Sequence, residues 1–128
     1  MRILVVDDDK VMSEAFTVML QRSGFEVAVA GDGLMGVEMW EEGDYDLVLM
    51  DVQMPRMNGF EATRAIREKE IVRGGHTLIV AITAFALHKD EVQCLAAGMD
   101  AYLSKPVDFK KCIELIRELV IQREDSAS

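Results

Sequence analysis

Asp7, Asp8, Asp51, Thr83 and Lys105 are the residues of this 128-residue chain whose types and spacing could do chemistry together. Each closes or directly follows a short, mainly aliphatic run. Ile3-Leu4-Val5-Val6 precedes Asp7 and Asp8, and Leu47-Val48-Leu49-Met50 precedes Asp51. Leu78-Ile79-Val80-Ala81-Ile82 precedes Thr83, and Ala101-Tyr102-Leu103-Ser104 precedes Lys105. Three carboxylates brought close together resist joint ionisation unless a cation compensates them. Carboxylate and carbonyl oxygens suit Mg²⁺, which keeps several waters and shares its shell with phosphate. A lysine adds a point positive charge for a phosphoryl oxygen, and a threonine adds a hydroxyl donor. Phosphoryl transfer is mostly positioning and charge neutralisation. A carboxylate nucleophile is ionised at neutral pH and needs no general base. The expected product is an aspartyl phosphate on Asp51.

These residues are 44, 32 and 22 positions apart from Asp7 to Lys105, so only a fold can gather them. Runs this short and apolar read as strands buried on both faces, the habit of parallel sheets. Strands are expected at Arg2 to Val6, Phe25 to Ala30, Asp46 to Asp51, Thr77 to Ile82 and Ala101 to Ser104. Glu26 interrupts the second and marks it as a sheet edge. Helical periodicity fills the intervals. The first helix starts near Val11, with Asp8 or Asp9 as cap, and is expected to bury Val11, Ala15, Val18 and Met19. The second runs from Leu34 to about Glu42 after the Asp32-Gly33 turn, with Met35 and Met39 four apart. The third follows Asn58-Gly59 and buries Ala62, Ala65 and Ile66. The fourth, His88 to Ala97, is expected to turn Val92, Leu95 and Ala96 inward. The last, Asp108 to Arg123, buries Cys112 or Ile113, Ile116, Leu119 and Val120.

Five alternations with short connections dictate an α/β fold, a parallel sheet with right-handed crossovers and helices on both faces. Every strand then ends on one edge, where ligands bind in such sheets. The second strand ends in Ala30-Gly31 and contributes nothing to that edge. Residues 1–123 read as one domain and 124–128 as a frayed tail.

Half the residues are hydrophobic and 6% aromatic, so aliphatics and nine methionines must fill the core. A net charge of −9 argues against nucleic acid as a direct ligand, because phosphate backbones need a basic face. No apolar run approaches the roughly 20 residues of a membrane span, and the first strand is too short for a signal-peptide core. Cys94 and Cys112 lack CxxC spacing and read as reduced, packed thiols of a cytoplasmic protein. Met1 directly ahead of the first strand, with no effector segment after the last helix, leans the expectation toward a stand-alone regulator. His76 and His88 read as surface residues, and Trp40 with Met35 and Met39 as packing or partner surface.

Taken together, Asp7-Asp8, Asp51 with Met54-Pro55 and Gly59 after it, Thr83-Ala84 and Lys105-Pro106 resemble a response-regulator receiver domain over essentially the whole chain. The resemblance implies a doubly wound (βα)5, flavodoxin-like three-layer sandwich of strand order 2-1-3-4-5, the arrangement of the chemotaxis regulator. It implies that Asp51 accepts a phosphoryl group from phosphohistidine on a sensor histidine kinase or histidine phosphotransfer protein. Asp8, Asp51 and the Gln53 backbone carbonyl would hold Mg²⁺, for which Mn²⁺ could substitute, with Asp7 acting through water. Thr83 and Lys105 would contact phosphoryl oxygens, and Tyr102 would be the switch aromatic that moves with Thr83. A cis peptide before Pro106 is common in the family. Gln53 and Phe85 occupy positions that tune phosphoryl lifetime. The face formed by the fourth helix, fifth strand and fifth helix would carry output to a downstream protein. The chain would be a switch, catalysing its own phosphorylation and slow dephosphorylation, as a monomer or weak phosphorylation-dependent dimer. Met50 to Pro55, Glu61 to Arg64 and Ala97 to Pro106 are similar to receivers of hybrid sensor kinases, although Asp7-Asp8-Asp9 differs from the acid-acid-asparagine order frequent there.

Three other readings compete. A flavodoxin-like electron carrier needs a loop that welcomes a flavin phosphate, which Asp7-Asp8-Asp9 would repel. An aspartate-nucleophile phosphatase usually has a second acid two positions after the nucleophile, where this chain has Gln53. A degenerate receiver used for docking alone would lack a complete site.

Overall fold

Three aliphatic runs become central parallel strands walled on both faces, and two less buried runs pair along the edges of the same sheet. The structure, a computed structural model, describes residues 1–54, 56–84 and 88–127; the side chains of 88–90 and 124–127 lie outside that description. The order of elements is β1 Arg2–Val6, α1 Lys10–Arg22, β2 Glu26–Ala30, α2 Gly33–Glu42, β3 Leu47–Asp51, α3 Gly59–Arg73, β4 Leu78–Thr83, α4 His88–Ala97, β5 Ala101–Ser104 and α5 Phe109–Ala127. The sheet runs β2-β1-β3-β4-β5. β2 is an edge strand, and its burial is incomplete from Glu26 to Val29.

Successive side chains on a strand point to opposite faces, and the two cores divide accordingly. Leu4, Val6, Val48, Met50, Ile79 and Ala81 meet Val37, Trp40, Ala62, Ile66 and Cys94 from α2, α3 and α4. Ile3, Val5, Leu47, Leu49, Val80 and Ile82 meet Phe16, Leu20, Cys112 and Ile116 from α1 and α5. Cys94 and Cys112 therefore lie on opposite sides of the sheet as buried thiols outside any disulfide. Burial pushes the Cys112 thiol up to about 11, which keeps it protonated.

Two helix faces differ from the sequence expectation. α1 buries Ser13, Phe16 and Leu20, whereas Val11 and Val18 face solvent. Both stripes have helical spacing, but Phe16 and Leu20 carry more apolar surface, and Phe16 packs edge-on against Phe109 of α5 at 5.3 Å. α4 buries Cys94 and Ala97 and leaves Val92, Leu95 and Ala96 exposed. In α2, Met35 is exposed while Trp40 is core, its indole N–H donating to Thr77 Oγ1 at 2.8 Å. α5 continues to Ala127, beyond the Arg123 expected from the sequence.

The caps explain the helix starts. Asp9 accepts from the N–H groups of Val11 and Met12, and Asp32 from Met35. Asn58 and Glu61 form a reciprocal capping box. Gly24, just past α1, takes a positive φ of 92°. Asp9 is thus committed to a cap, which leaves Asp7 and Asp8 for the sheet edge.

Candidate functional site: an acidic pocket at the strand ends

Strand register brings the expected residues together. Val6 pairs with Met50, so Asp7 follows one strand beside Asp51 at the end of the next. Asp51 pairs with Ile82, directly before Thr83. Thr83 pairs with Ser104, and the Lys105 N–H donates to the Thr83 carbonyl at 2.8 Å. Five residues from four strand ends thereby share one edge.

Asp7, Asp51 and Thr83 are buried, and Asp8 is exposed. Carboxylate oxygens of Asp7, Asp8 and Asp51 all lie within 4.8 Å of one another. Lys105 Nζ approaches Asp51 Oδ1 at 3.4 Å, and the Gln53 N–H donates to that same oxygen at 3.2 Å. Asp7 Oδ1 accepts the Asp9 N–H at 2.9 Å. Its other oxygen, Asp7 Oδ2, is buried with no hydrogen-bond partner among the described residues. Burial, and then the neighbouring Asp51, push the Asp7 carboxyl up from its ordinary 3.8 to about 6, against the opposing pull of the Asp9 N–H and Lys105.

An orphaned buried carboxylate oxygen costs free energy. One lysine at 3.4 Å does not balance three acids. A hard divalent cation with oxygen ligands corrects both faults at once, so the donor set fits Mg²⁺. Asp8 and Asp51 could supply carboxylate ligands directly, and Asp7 through a water.

The loop after β3 is built for close approach. A Cβ on Gly59 would collide with the backbone of Asp51 and Val52, and the Gly59 N–H donates to the Val52 carbonyl at 3.0 Å. The Lys105-Pro106 peptide is cis. Tyr102 is half-buried and packs against the core beneath α4. Phe85 lies outside the described residues, as does the side chain of His88.

The profile of the response regulator receiver domain matches residues 3–117. The chain belongs to that family.

As a receiver domain it is a module of two-component signalling. It is 38% identical over 151 residues to histidine kinase 1 of Arabidopsis thaliana, covering 92% of this chain and 12% of the kinase. It is 33% identical over 115 residues to the polar-differentiation response regulator DivK of Brucella ovis, covering 90% of this chain and 92% of DivK. Among solved structures, the receiver domain of a sensor histidine kinase from Pseudomonas aeruginosa PAO1, which has a magnesium ion coordinated in its active-site cleft, superposes with a TM-score of 0.82. That receiver is 37% identical, with 91% of this chain and 94% of that one covered. The chain spans 12% or less of the length of the first histidine kinases it matches, from Arabidopsis, Dictyostelium and rice.

Sequence reasoning missed two features of this receiver. The strand β2 edge is not empty: Asp32, just beyond it, is buried and faces Arg56 of the β3–α3 loop at 3.4 Å. At the far end of the sheet, Arg67 ties α3 to the α4–β5 turn through Gly98 and Asp100. Asp-Gly after a strand was one available signal for the first; the second joins residues more than 30 apart and has no local signature.

Proposed function

We propose that this receiver accepts a phosphoryl group on Asp51 from the phosphohistidine of a sensor kinase or histidine phosphotransfer protein. The observation that carries the reading is the unbalanced pocket: three acids, one lysine and an orphaned Asp7 oxygen around a carboxylate at a strand end. An Asp51 carboxylate oxygen bonds to phosphorus as the P–N bond of the donor breaks. That electron pair stays on the donor imidazole. Asp8, Asp51 and the Gln53 carbonyl would hold Mg²⁺ directly, with Asp7 acting through water. When bound, Mg²⁺ neutralises charge gathered on the phosphoryl oxygens. Lys105 supplies a positive charge to one phosphoryl oxygen and the Thr83 hydroxyl a donor to another. Hydrolysis returns the Asp51 carboxylate and inorganic phosphate, so the chain acts as a timed switch on its own side chain.

The phosphoryl group adds charge and acceptors. These favour the state in which Thr83 and Tyr102 have moved toward the site and the α4-β5-α5 face has changed shape for a downstream protein. A preference of about 1–3 kcal/mol would suffice for a graded response. The exposed Val92 and Leu95 of α4 give that face apolar surface to offer. The proposed setting is cytoplasmic, as buried cysteines outside any disulfide suit a reducing compartment. No helix among the described residues is long and apolar enough to cross a membrane.

Beryllofluoride with Mg²⁺, a stable mimic of the aspartyl phosphate, provides the test. Amide resonances of residues 84–110 should shift together with those of Asp7, Asp8 and Gln53. An unchanged spectrum across both groups would reject the proposal.

A further inference from the structure

The loop between Asp51 and Gly59 carries the Gln53 carbonyl, and it is held at two places by backbone contacts too tight for a side chain. One is Gly59 against Asp51 and Val52. The other comes from outside the loop. Gly33, the first residue of α2, lies against the Met57 backbone: a Cβ there would overlap the Met57 carbonyl oxygen, stand 2.9 Å from its carbonyl carbon and 3.1 Å from its Cβ. No rotamer change relieves contacts with backbone atoms.

The neighbouring Asp32 reinforces the same junction. Its Oδ1 accepts the Met35 N–H at 2.8 Å and so fixes the start of α2. Its Oδ2 faces the Arg56 guanidinium at 3.4 Å. Arg56 itself has a φ of 68°, a left-handed conformation that a non-glycine residue keeps only when its surroundings impose it. α2 cannot easily yield, because Val37 and Trp40 are core residues and Gly36 sits against Val6 of β1.

We propose that the Asp32-Gly33 turn is a positioning element for the metal-binding loop, setting where the Gln53 carbonyl stands relative to Asp8 and Asp51. It rests on the reading that this pocket binds Mg²⁺. Groups that orient metal ligands typically change affinity by about 10- to 100-fold when altered. A side chain at position 33 pushes on Met57, four residues from Gln53, along a loop already pinned at Gly59. Gly36 offers a matched control. The three atoms nearest a Cβ there all belong to the Val6 side chain, both Cγ atoms at 2.9 Å, and none to the loop.

Mg²⁺ affinity is to be measured on the full chain by titration of amide resonances, for the parent, Gly33→Ala and Gly36→Ala. Gly33→Ala should weaken Mg²⁺ binding on the order of 10-fold or more, with shifts in the metal-free amides of 53, 54 and 56–58. Gly36→Ala should stay within about twofold of the parent even where its melting temperature falls as far. Should Gly33→Ala not fold, Asp32→Asn keeps an acceptor for Met35 and removes the charge facing Arg56; it should weaken binding about two- to threefold, a modest effect because that ion pair is solvent-exposed on one side. Parent-like affinity in the folded variants, or equal loss in both glycine variants, overturns the positioning role while leaving the site intact. A parent that binds no Mg²⁺ refutes the site reading itself and this role with it.

Discussion

The acid cluster at one edge of the sheet is partnered in the opposite way to the acid cluster at the other. At the amino edge, Glu70 and Asp100 have every carboxylate oxygen satisfied. Glu70 Oε1 pairs with Arg67 at 2.6 Å and Oε2 accepts the Thr77 N–H at 2.6 Å. Asp100 Oδ2 takes Arg67 at 3.0 Å and the Ile79 N–H at 2.8 Å, and Oδ1 meets His76 at 2.7 Å. Arg67 donates further to the carbonyls of Gly98 and Thr77, both at 2.9 Å. At the carboxyl edge, Asp7 keeps an oxygen without a partner among the described residues, and Asp51 has one lysine at 3.4 Å and one N–H at 3.2 Å. The first group of acids is saturated and serves the fold. The second is short of donors and positive charge, and that deficit is what a cation and a phosphoryl group can fill. Acidity alone says little; the completeness of the partners distinguishes the two.

Removing one charge should therefore have opposite signs at the two edges. Arg67→Ala takes the shared guanidinium from Glu70 and Asp100, and is expected to destabilise the fold by about 3–5 kcal/mol in urea denaturation. Mg²⁺ affinity of the molecules that remain folded should not change. A loss below about 1 kcal/mol, the range of a solvent-exposed pair, would mean that the amino-edge network is not structural.

Asp7→Asn is expected to stabilise the metal-free protein by about 2 kcal/mol at neutral pH, because it removes a desolvated charge beside Asp51. The same change should weaken Mg²⁺ binding. Destabilisation in metal-free buffer would erase the contrast between the edges.

The pH dependence sharpens that point. Asp7 is raised in the folded protein to about 6 from 3.8. Between those values the native state holds a proton that the unfolded chain has released. The stability from Asp7 is thus present at about pH 4 and lost as the pH climbs toward 6. Denaturation midpoints of metal-free protein should fall over that window, and those of Asp7→Asn should lack this component. Mg²⁺ affinity should drop as the pH falls below about 6, where the Asp7 proton must first leave.

His76→Ala is the smallest test. The side chain is largely exposed and Asp100 Oδ1 can turn to water, so the expected cost is below about 1 kcal/mol.

Much of this was legible beforehand. Strands walled on both faces read as unbroken aliphatic runs, so β1, β3 and β4 declared themselves, and Glu26 marked β2 as an edge. Polar residues directly after those runs pointed to one sheet edge. The faces of α1 and α4 were harder. Val11, Ala15 and Val18 compete with Met12, Phe16 and Leu20 at the same helical spacing, and only the packed sheet decides between them. α4 is deceptive in another way, since Val92 and Leu95 face outward while the smaller Cys94 and Ala97 face inward. The Gly33–Met57 and Arg67–Asp100 contacts join a helix to a loop or turn far away in the chain, where periodicity carries no information.

The most direct test of Asp51 as phosphoacceptor is intact-mass measurement of the full chain after incubation with Mg²⁺ and a small phosphoramidate donor. The parent should gain a single phosphoryl group, lost on chelating the metal before the donor is added. Asp51→Asn, folded by its amide spectrum, should gain none. Equal uptake by that variant, or mapping of the group on the parent to another residue, would contradict Asp51 as the acceptor.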